Sequence, residues 1–362
     1  MKKEGRPHMT DFRVGIIGCG RRWGEAGATG AGMAHLHAEG YKASPDAAIV
    51  ALADINLDNA RAFQAEHGGE RIYQDYERML IKEQLDIVSI SNWPHLHAEM
   101  VIAAAEAGVK AIHCEKPMAP GWAEAQRMVQ VCGERGVQLT FNHQRRFDSE
   151  YRKARELLKA GAIGNLRRME GGCPDLFDWG THWFDMFFFY NDQVPVEWVI
   201  GQIEPGEGRT VFAVTMEVQG ISHFRYQNGV EGLLLTRHGD PFVGYNRLFG
   251  DEGVIEIDMT LRPSLRVWGR RRRRWKAIRT KTVEAVKLGV LDLIDALKTG
   301  REPELSGRQA LQAAELSFAT YESSRRRGRV ELPLQGDVAP FPVATSPSNT
   351  SPEDKDVSRG RK

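Results

Sequence analysis

The chain has no apolar run of the ~18 residues that a membrane-spanning helix needs, so no membrane partner is expected. It opens without an apolar h-region, since residues 1–11 are polar, and no secretory signal is expected there. Cysteine is scarce: Cys19, Cys114, Cys132 and Cys173 are scattered with no C-x-x-C pair. Free thiols in a reducing cytoplasm are the simplest account, and no metal is expected. Charge of one sign is also lacking: the formal net charge is +1, which gives no overall pull toward nucleic acid. The local exception is Arg270 to Arg274, read as a charged edge strand or hairpin in preference to a polyanion site.

What is present is an alternation of short apolar runs and helical patterns. Residues 12–17 form an apolar strand that runs into Gly18-Cys19-Gly20. Two glycines spaced by one residue after a strand permit a tight turn and a close backbone approach to a pyrophosphate, with a helix N-terminus following. The third glycine of the usual fingerprint is displaced, and Arg21 to Gly32 reads as an enlarged loop before a helix over 33–41. A second strand, 48–53, ends in Asp54. A carboxylate there accepts ribose hydroxyls and repels a 2′-phosphate, which favours NAD; Arg61 nearby leaves NADP open. Asp54 falls later than the usual ~20 residues past the fingerprint, and the enlarged loop accounts for the excess. Helices over 57–67, 76–81, 97–108 and 121–136 then alternate with strands over 86–91, 109–112 and 137–141. Such alternation implies a doubly wound parallel sheet, a Rossmann domain over residues 10–147.

Glu115-Lys116-Pro117 follows the strand at 109–112, where an open α/β sheet presents its ligand crevice. After a polar junction (Asn142 to Phe147) and a charged helix at 149–161, the run Asp178-Trp179-Gly180-Thr181-His182 leads into apolar residues 186–190. If helical, Asp178 and His182 stand at i and i+4 on one face of a buried helix, either an acid/base pair or a core histidine held by a carboxylate. Strand-like stretches from Val196 to Gly269, one of them running from Thr210 to Gln219, are punctuated by turns such as Asn228-Gly229 and argue a large, mostly antiparallel open sheet in an α/β domain over 148–335. Helices are expected at 283–300 and 307–327. The tail, 336–362, is rich in Pro, Ser and charge and is expected to be disordered.

The order and spacing of Gly15 to Gly20, Asn92 to His97, Glu115-Lys116-Pro117, Gln144 to Phe147 and Asp178-x-x-x-His182 resemble the Gfo/Idh/MocA oxidoreductases, which include inositol and sugar dehydrogenases. The resemblance implies a dinucleotide lying over Gly18, Gly20, Asp54, Asn92, Trp93 and His97, with Glu115 and Lys116 at its nicotinamide end. It implies Lys116, Asp178 and His182 around the reacting hydroxyl of a sugar, cyclic polyol or glycoside, with Arg146 and Trp179 contacting the substrate. His182 would act as base with Asp178 orienting it, or Lys116 would be the base. The open sheet would mediate a homodimer or homotetramer. Two other readings share the fold: a redox-assisted glycosidase that recycles tightly held NAD, and a nucleotide-sensing regulator. Retention of Lys116, Asp178 and His182 argues against the regulator.

Overall fold

A computed structural model describes residues 12–205, 210–240, 243–271, 273–336, 338 and 341. The chain divides into two compact units.

The first unit gathers the chain up to Glu115, then residues 127–142 and 286–307. In chain order its elements are β1 (Phe12–Ile17), α1 (Met33–Lys42), β2 (Ala47–Ala53), α2 (Leu57–His67), β3 (Arg71–Tyr73), α3 (Tyr76–Lys82), β4 (Ile87–Ile90), α4 (Pro94–Glu106), β5 (Ala111–Cys114), most of α5 (Trp122–Arg135) and β6 (Gln138–Phe141). The six strands are parallel, in the order β3-β2-β1-β4-β5-β6. The central strands β4 and β5 are buried along their whole length and mostly apolar, as expected where crossover helices cover both faces of the sheet. The expected doubly wound sheet is therefore present, and its strand order reverses between β1 and β4, where such sheets bind ligands. The short strand Arg71–Tyr73 was not expected: three residues with two polar ends carry no readable period.

The second unit gathers residues 116–126, 143–285 and the chain from Arg308. It holds α6 (Ser149–Lys159), β7 (Leu166–Cys173), α7 (Gly180–Tyr190), β8 (Val196–Glu204), β9 (Thr210–Val211), β10 (Val214–Thr215), β11 (Gln219–Tyr226), β12 (Glu231–Arg237), β13 (Tyr245–Gly250), β14 (Gly253–Asp258), β15 (Leu265–Gly269) and β16 (Trp275–Ile278). Two long helices, α8 (Ala285–Thr299) and α9 (Gly307–Arg326), and β17 (Val330–Glu331) complete the chain order. The nine-stranded sheet runs β16-β15-β14-β13-β7-β12-β11-β8-β17, with β7 and β12 parallel and the other neighbours antiparallel. Every residue of α7 is buried, as its apolar sequence requires.

Three expectations are corrected. The boundary near residue 147 does not separate two contiguous stretches. Val290, Leu293 and Ile294 of α8 lie in one buried cluster with Val14, Ile16, Ala38 and Tyr41, so this helix completes the first unit's core. The stretch 210–219 is not one strand: Phe212 and Ala213 take positive φ between β9 and β10, and β11 begins only at Gln219. The tail expected to be disordered lies mostly outside the described residues, but Phe341 within it is buried. Its ring packs 4.6 Å from Phe318 and 4.8 Å from Phe177, and its N–H donates to the Pro120 carbonyl at 2.8 Å. The arginine run falls, among the described residues, in the turn of the edge hairpin β15–β16, as expected.

Candidate active site

In the first unit the loop after β1 carries the backbone geometry that a nucleotide needs. Gly18 has φ +84°, and a Cβ there would lie 1.6 Å from Asn92 Oδ1. Only glycine lets the loop after β1 meet Asn92, just past β4. Gly20 also has positive φ, with open space where its side chain would stand. Its N–H donates to Asp54 Oδ2 at 3.0 Å, while Asn56 N–H donates to Oδ1 at 2.8 Å. The carboxylate at the end of β2 thus ties the glycine loop to its own turn. These residues fit a dinucleotide: an open glycine cradle for the phosphates beside an acidic strand tip. Arg61, expected to leave room for NADP, pairs with Asp58 at 2.8 Å on the surface of α2.

Trp93 precedes α4 with Pro94 in its first turn, and its ring meets His95 edge-on at 5.9 Å. The buried His97 ring lies 3.0 Å from the Asn92 carbonyl, which ties the β4 loop to α4.

Glu115 ends this unit's first stretch in a buried network absent from the sequence-based expectations. His37 Nε2 lies 2.9 Å from Glu115 Oε1, Asn142 Nδ2 donates to the same oxygen at 2.6 Å, and His37 Nδ1 lies 2.8 Å from Ser89 Oγ. Burying a carboxylate requires such partners. His37 was hidden in an ordinary helical pattern, and only tertiary packing brings it to Glu115.

Lys116, the next residue, belongs to the second unit. Its Nζ donates to Asp178 Oδ1 at 2.5 Å and to the Asp178 carbonyl at 3.2 Å. Asp178 is not one turn below His182 on a helix. It stands in a turn before α7, held by buried Asp175, whose Oδ1 accepts the N–H groups of Asp178 (2.6 Å) and Trp179 (3.1 Å). Glu217, also buried, fixes the same turn by accepting the Leu176 N–H at 2.6 Å. Short side chains before a helix often cap it, and this was the readable signal for Asp175.

His182 lies in the first turn of α7, 4% exposed, with its ring edge-on to His143 at 5.5 Å. Burial, then the nearby cations of Lys116 and Arg145 and the His143 ring, hold its pKa well below the ordinary imidazole value. Its buried Nδ1 has no hydrogen-bond partner among the described residues. Lys116, Asp178 and His182 are thus brought together, but the carboxylate serves the lysine and, among the described residues, His182 Nδ1 has no hydrogen-bond partner.

Arg146 is placed differently from the expectation. It is 1% exposed, and its guanidinium donates to both oxygens of buried Asp185 at 2.8–3.0 Å and to Gln309. A buried bidentate pair of this kind is a packing element. Its neighbour Arg145 instead lies over the rings of Trp183 (4.7 Å) and Trp179 (5.5 Å). Trp183 is fully buried and donates to the Tyr245 carbonyl at 2.7 Å, whereas Trp179 keeps part of its surface exposed.

Residues 12–143 match the model of an oxidoreductase family with an NAD-binding Rossmann fold. Over most of its length the chain is similar to myo-inositol 2-dehydrogenase of Thermotoga maritima (25% identical, 89% of this chain and 98% of the relative). It is likewise similar to D-apiose dehydrogenase of Paraburkholderia graminis (28% identical, 92% and 93%). A solved oxidoreductase from Agrobacterium radiobacter, in complex with NAD+, L-tartaric acid and magnesium, shares the fold with a TM-score of 0.74 (20% identical, 89% and 98%).

Proposed function

We propose that this chain is a Gfo/Idh/MocA oxidoreductase that oxidises a ring secondary hydroxyl of a sugar, cyclic polyol or glycoside with NAD, a reading supported by the NAD-binding family model over residues 12–143 and by its similarity to inositol and apiose dehydrogenases. The observation that carries the reading is the Lys116–Asp178 ion pair near the buried His182, whose Nδ1 has no hydrogen-bond partner among the described residues. Gly18, Gly20, Asp54, Asn92, Trp93, His97 and Glu115 are assigned to hold the dinucleotide. When bound, its nicotinamide supplies the hydride acceptor.

The remaining chemistry falls to this chain's own side chains. The Lys116 ammonium, oriented by Asp178, donates a hydrogen bond to the reacting oxygen and stabilises its developing negative charge. His182 is the proton acceptor. Its depressed pKa keeps the imidazole neutral and ready to receive the hydroxyl proton at neutral pH. Trp179 offers the exposed edge of an aromatic pair for an apolar sugar face. Arg146 is assigned to the scaffold and not to the substrate.

The exposed face of β8, β11 and β12 carries Ile200, Ile221 and Leu235, each at least 39% exposed. We assign this face to self-association into a homodimer or homotetramer. No helix among the described residues is long and apolar enough to cross a membrane. The four cysteines are buried free thiols, which suits the cytoplasm.

The test is growth of reduced-nicotinamide absorbance when the protein meets a panel of polyols, sugars and glycosides with NAD or NADP. Growth with one class supports the proposal and names the substrate. Aglycone release without NADH accumulation, or no turnover with any member, overturns it.

A further inference from the structure

Away from these residues, α1 and the end of α2 bring three donor groups to one point. His35 Nδ1 lies 2.9 Å from His67 Nε2. Glu66 closes the triangle, with Oε2 at 3.4 Å from His35 Nδ1 and Oε1 at 3.5 Å from His67 Nε2. Both imidazoles are buried, while the Glu66 side chain is 44% exposed.

Two nitrogens facing each other at hydrogen-bond distance hold one proton between them. That contact is polar and unusual for two histidines packed on the buried ring of Phe63 (4.9 Å to His35 and 4.6 Å to His67). Ligand atoms bound to one tetrahedral zinc at ~2.0–2.2 Å stand about 3.3 Å apart. The observed separations of 2.9, 3.4 and 3.5 Å bracket that spacing. The outer nitrogen of His67, Nδ1, faces Glu39 Oε1 at 3.4 Å, the carboxylate that orients a metal-bound histidine.

We propose that His35, His67 and Glu66 form a zinc site that fastens α1 to α2, with water filling the position toward solvent. On binding, His35 Nδ1 and His67 Nε2 become ligands, and the proton between them moves to an outer ring nitrogen. Imidazole nitrogens and one carboxylate select zinc over magnesium or calcium, which prefer all-oxygen sites. Arg22 pairs with Glu66 in the absence of metal, but both side chains are well exposed and an exposed ion pair is weak competition.

The decisive measurement is zinc affinity of the full chain without a histidine tag, by competition with a chromophoric chelator, together with the visible spectrum of the cobalt form. One zinc per chain and an intense tetrahedral cobalt band are expected. Glu66→Gln, at an exposed position that does not threaten folding, weakens zinc roughly 10- to 100-fold. His35→Gln abolishes the cobalt band. At the same zinc concentration the thermal midpoint of the parent chain rises more than that of Glu66→Gln. Absence of binding at micromolar zinc, or equal affinity in the parent and Glu66→Gln, overturns the site.

Discussion

Lys116 Nζ and Asp178 Oδ1 stand 2.5 Å apart although 62 residues separate them in the chain. The pair joins the segment following β5 to the turn before α7, and both partners are largely shielded (17% and 13% exposed). A charge-assisted bond in such a place fixes the direction of the ammonium.

Replacing Lys116 with Met is expected to lower kcat by ~10²-fold or more while leaving NAD affinity near the parent value. Asp178→Asn should lower kcat by a smaller factor, because the ammonium remains but loses its fixed direction. Steady-state kinetics with cofactor titration separate the two effects. Unchanged kcat in Lys116→Met removes the lysine from the reaction.

His182→Ala is expected to cut turnover by ~10²-fold or more. Because burial and the neighbouring cations lower the His182 pKa, the acid limb of the parent kcat/KM profile should lie below the ordinary imidazole range of about 6.5. Removing the Lys116 charge should move His182 titration upward, read by NMR of labelled histidine in Lys116→Met. An unmoved titration would falsify the electrostatic assignment.

Asp54→Ser should raise the NADP-to-NAD ratio of kcat/KM by about tenfold or more, since a carboxylate at that strand tip repels a 2′-phosphate. The ratio is the readout because it cancels any general loosening from the missing Gly20 contact. Gly18→Ala forces a Cβ into Asn92 at a positive φ, adding about 1–3 kcal/mol of strain, and should weaken both cofactors alike.

Lowering pH should destabilise the fold through its buried histidines. His113 and His182 have pKa values held well below the ordinary value, chiefly by burial. Each therefore binds a proton more readily unfolded than folded. Below an unfolded value of about 6.5 the unfolded chain takes up more protons, and stability falls as pH falls. Denaturant midpoints between neutral and mildly acid pH measure the slope, which should shrink in His113→Gln.

Phe341→Ala should cost about 3–5 kcal/mol, the usual loss for a buried phenylalanine. A midpoint that ignores Phe341→Ala contradicts its packing against Phe177 and Phe318.

The first sheet was legible, β3 apart, because its buried strands are short, mostly apolar runs alternating with helical patterns. The glycine turn after β1 and the acidic end of β2 were legible as local signals too, and the structure joins them through the Gly20–Asp54 hydrogen bond. What failed to show was long-range. The helical spacing of Asp178 and His182 suggested a pair, but a capping aspartate three residues upstream holds Asp178 in a turn and gives its carboxylate to Lys116. Arg146 looked like one more polar residue at a junction, and nothing local announces Asp185. The amphipathic pattern of α8 predicts a buried face but not which core receives it. Short β3, β16 and β17 carry too few residues for alternation to register.

The return of α8 has a consequence for modularity. A fragment ending near residue 147 would lack Val290, Leu293 and Ile294, which close the cluster around Val14 and Tyr41. The nucleotide-binding half is therefore not a cassette that cutting or gene fusion can transplant. An exchange of the second unit between relatives has to carry residues 116–126, 143–285 and the chain from Arg308 together, and leave residues 286–307 with the host.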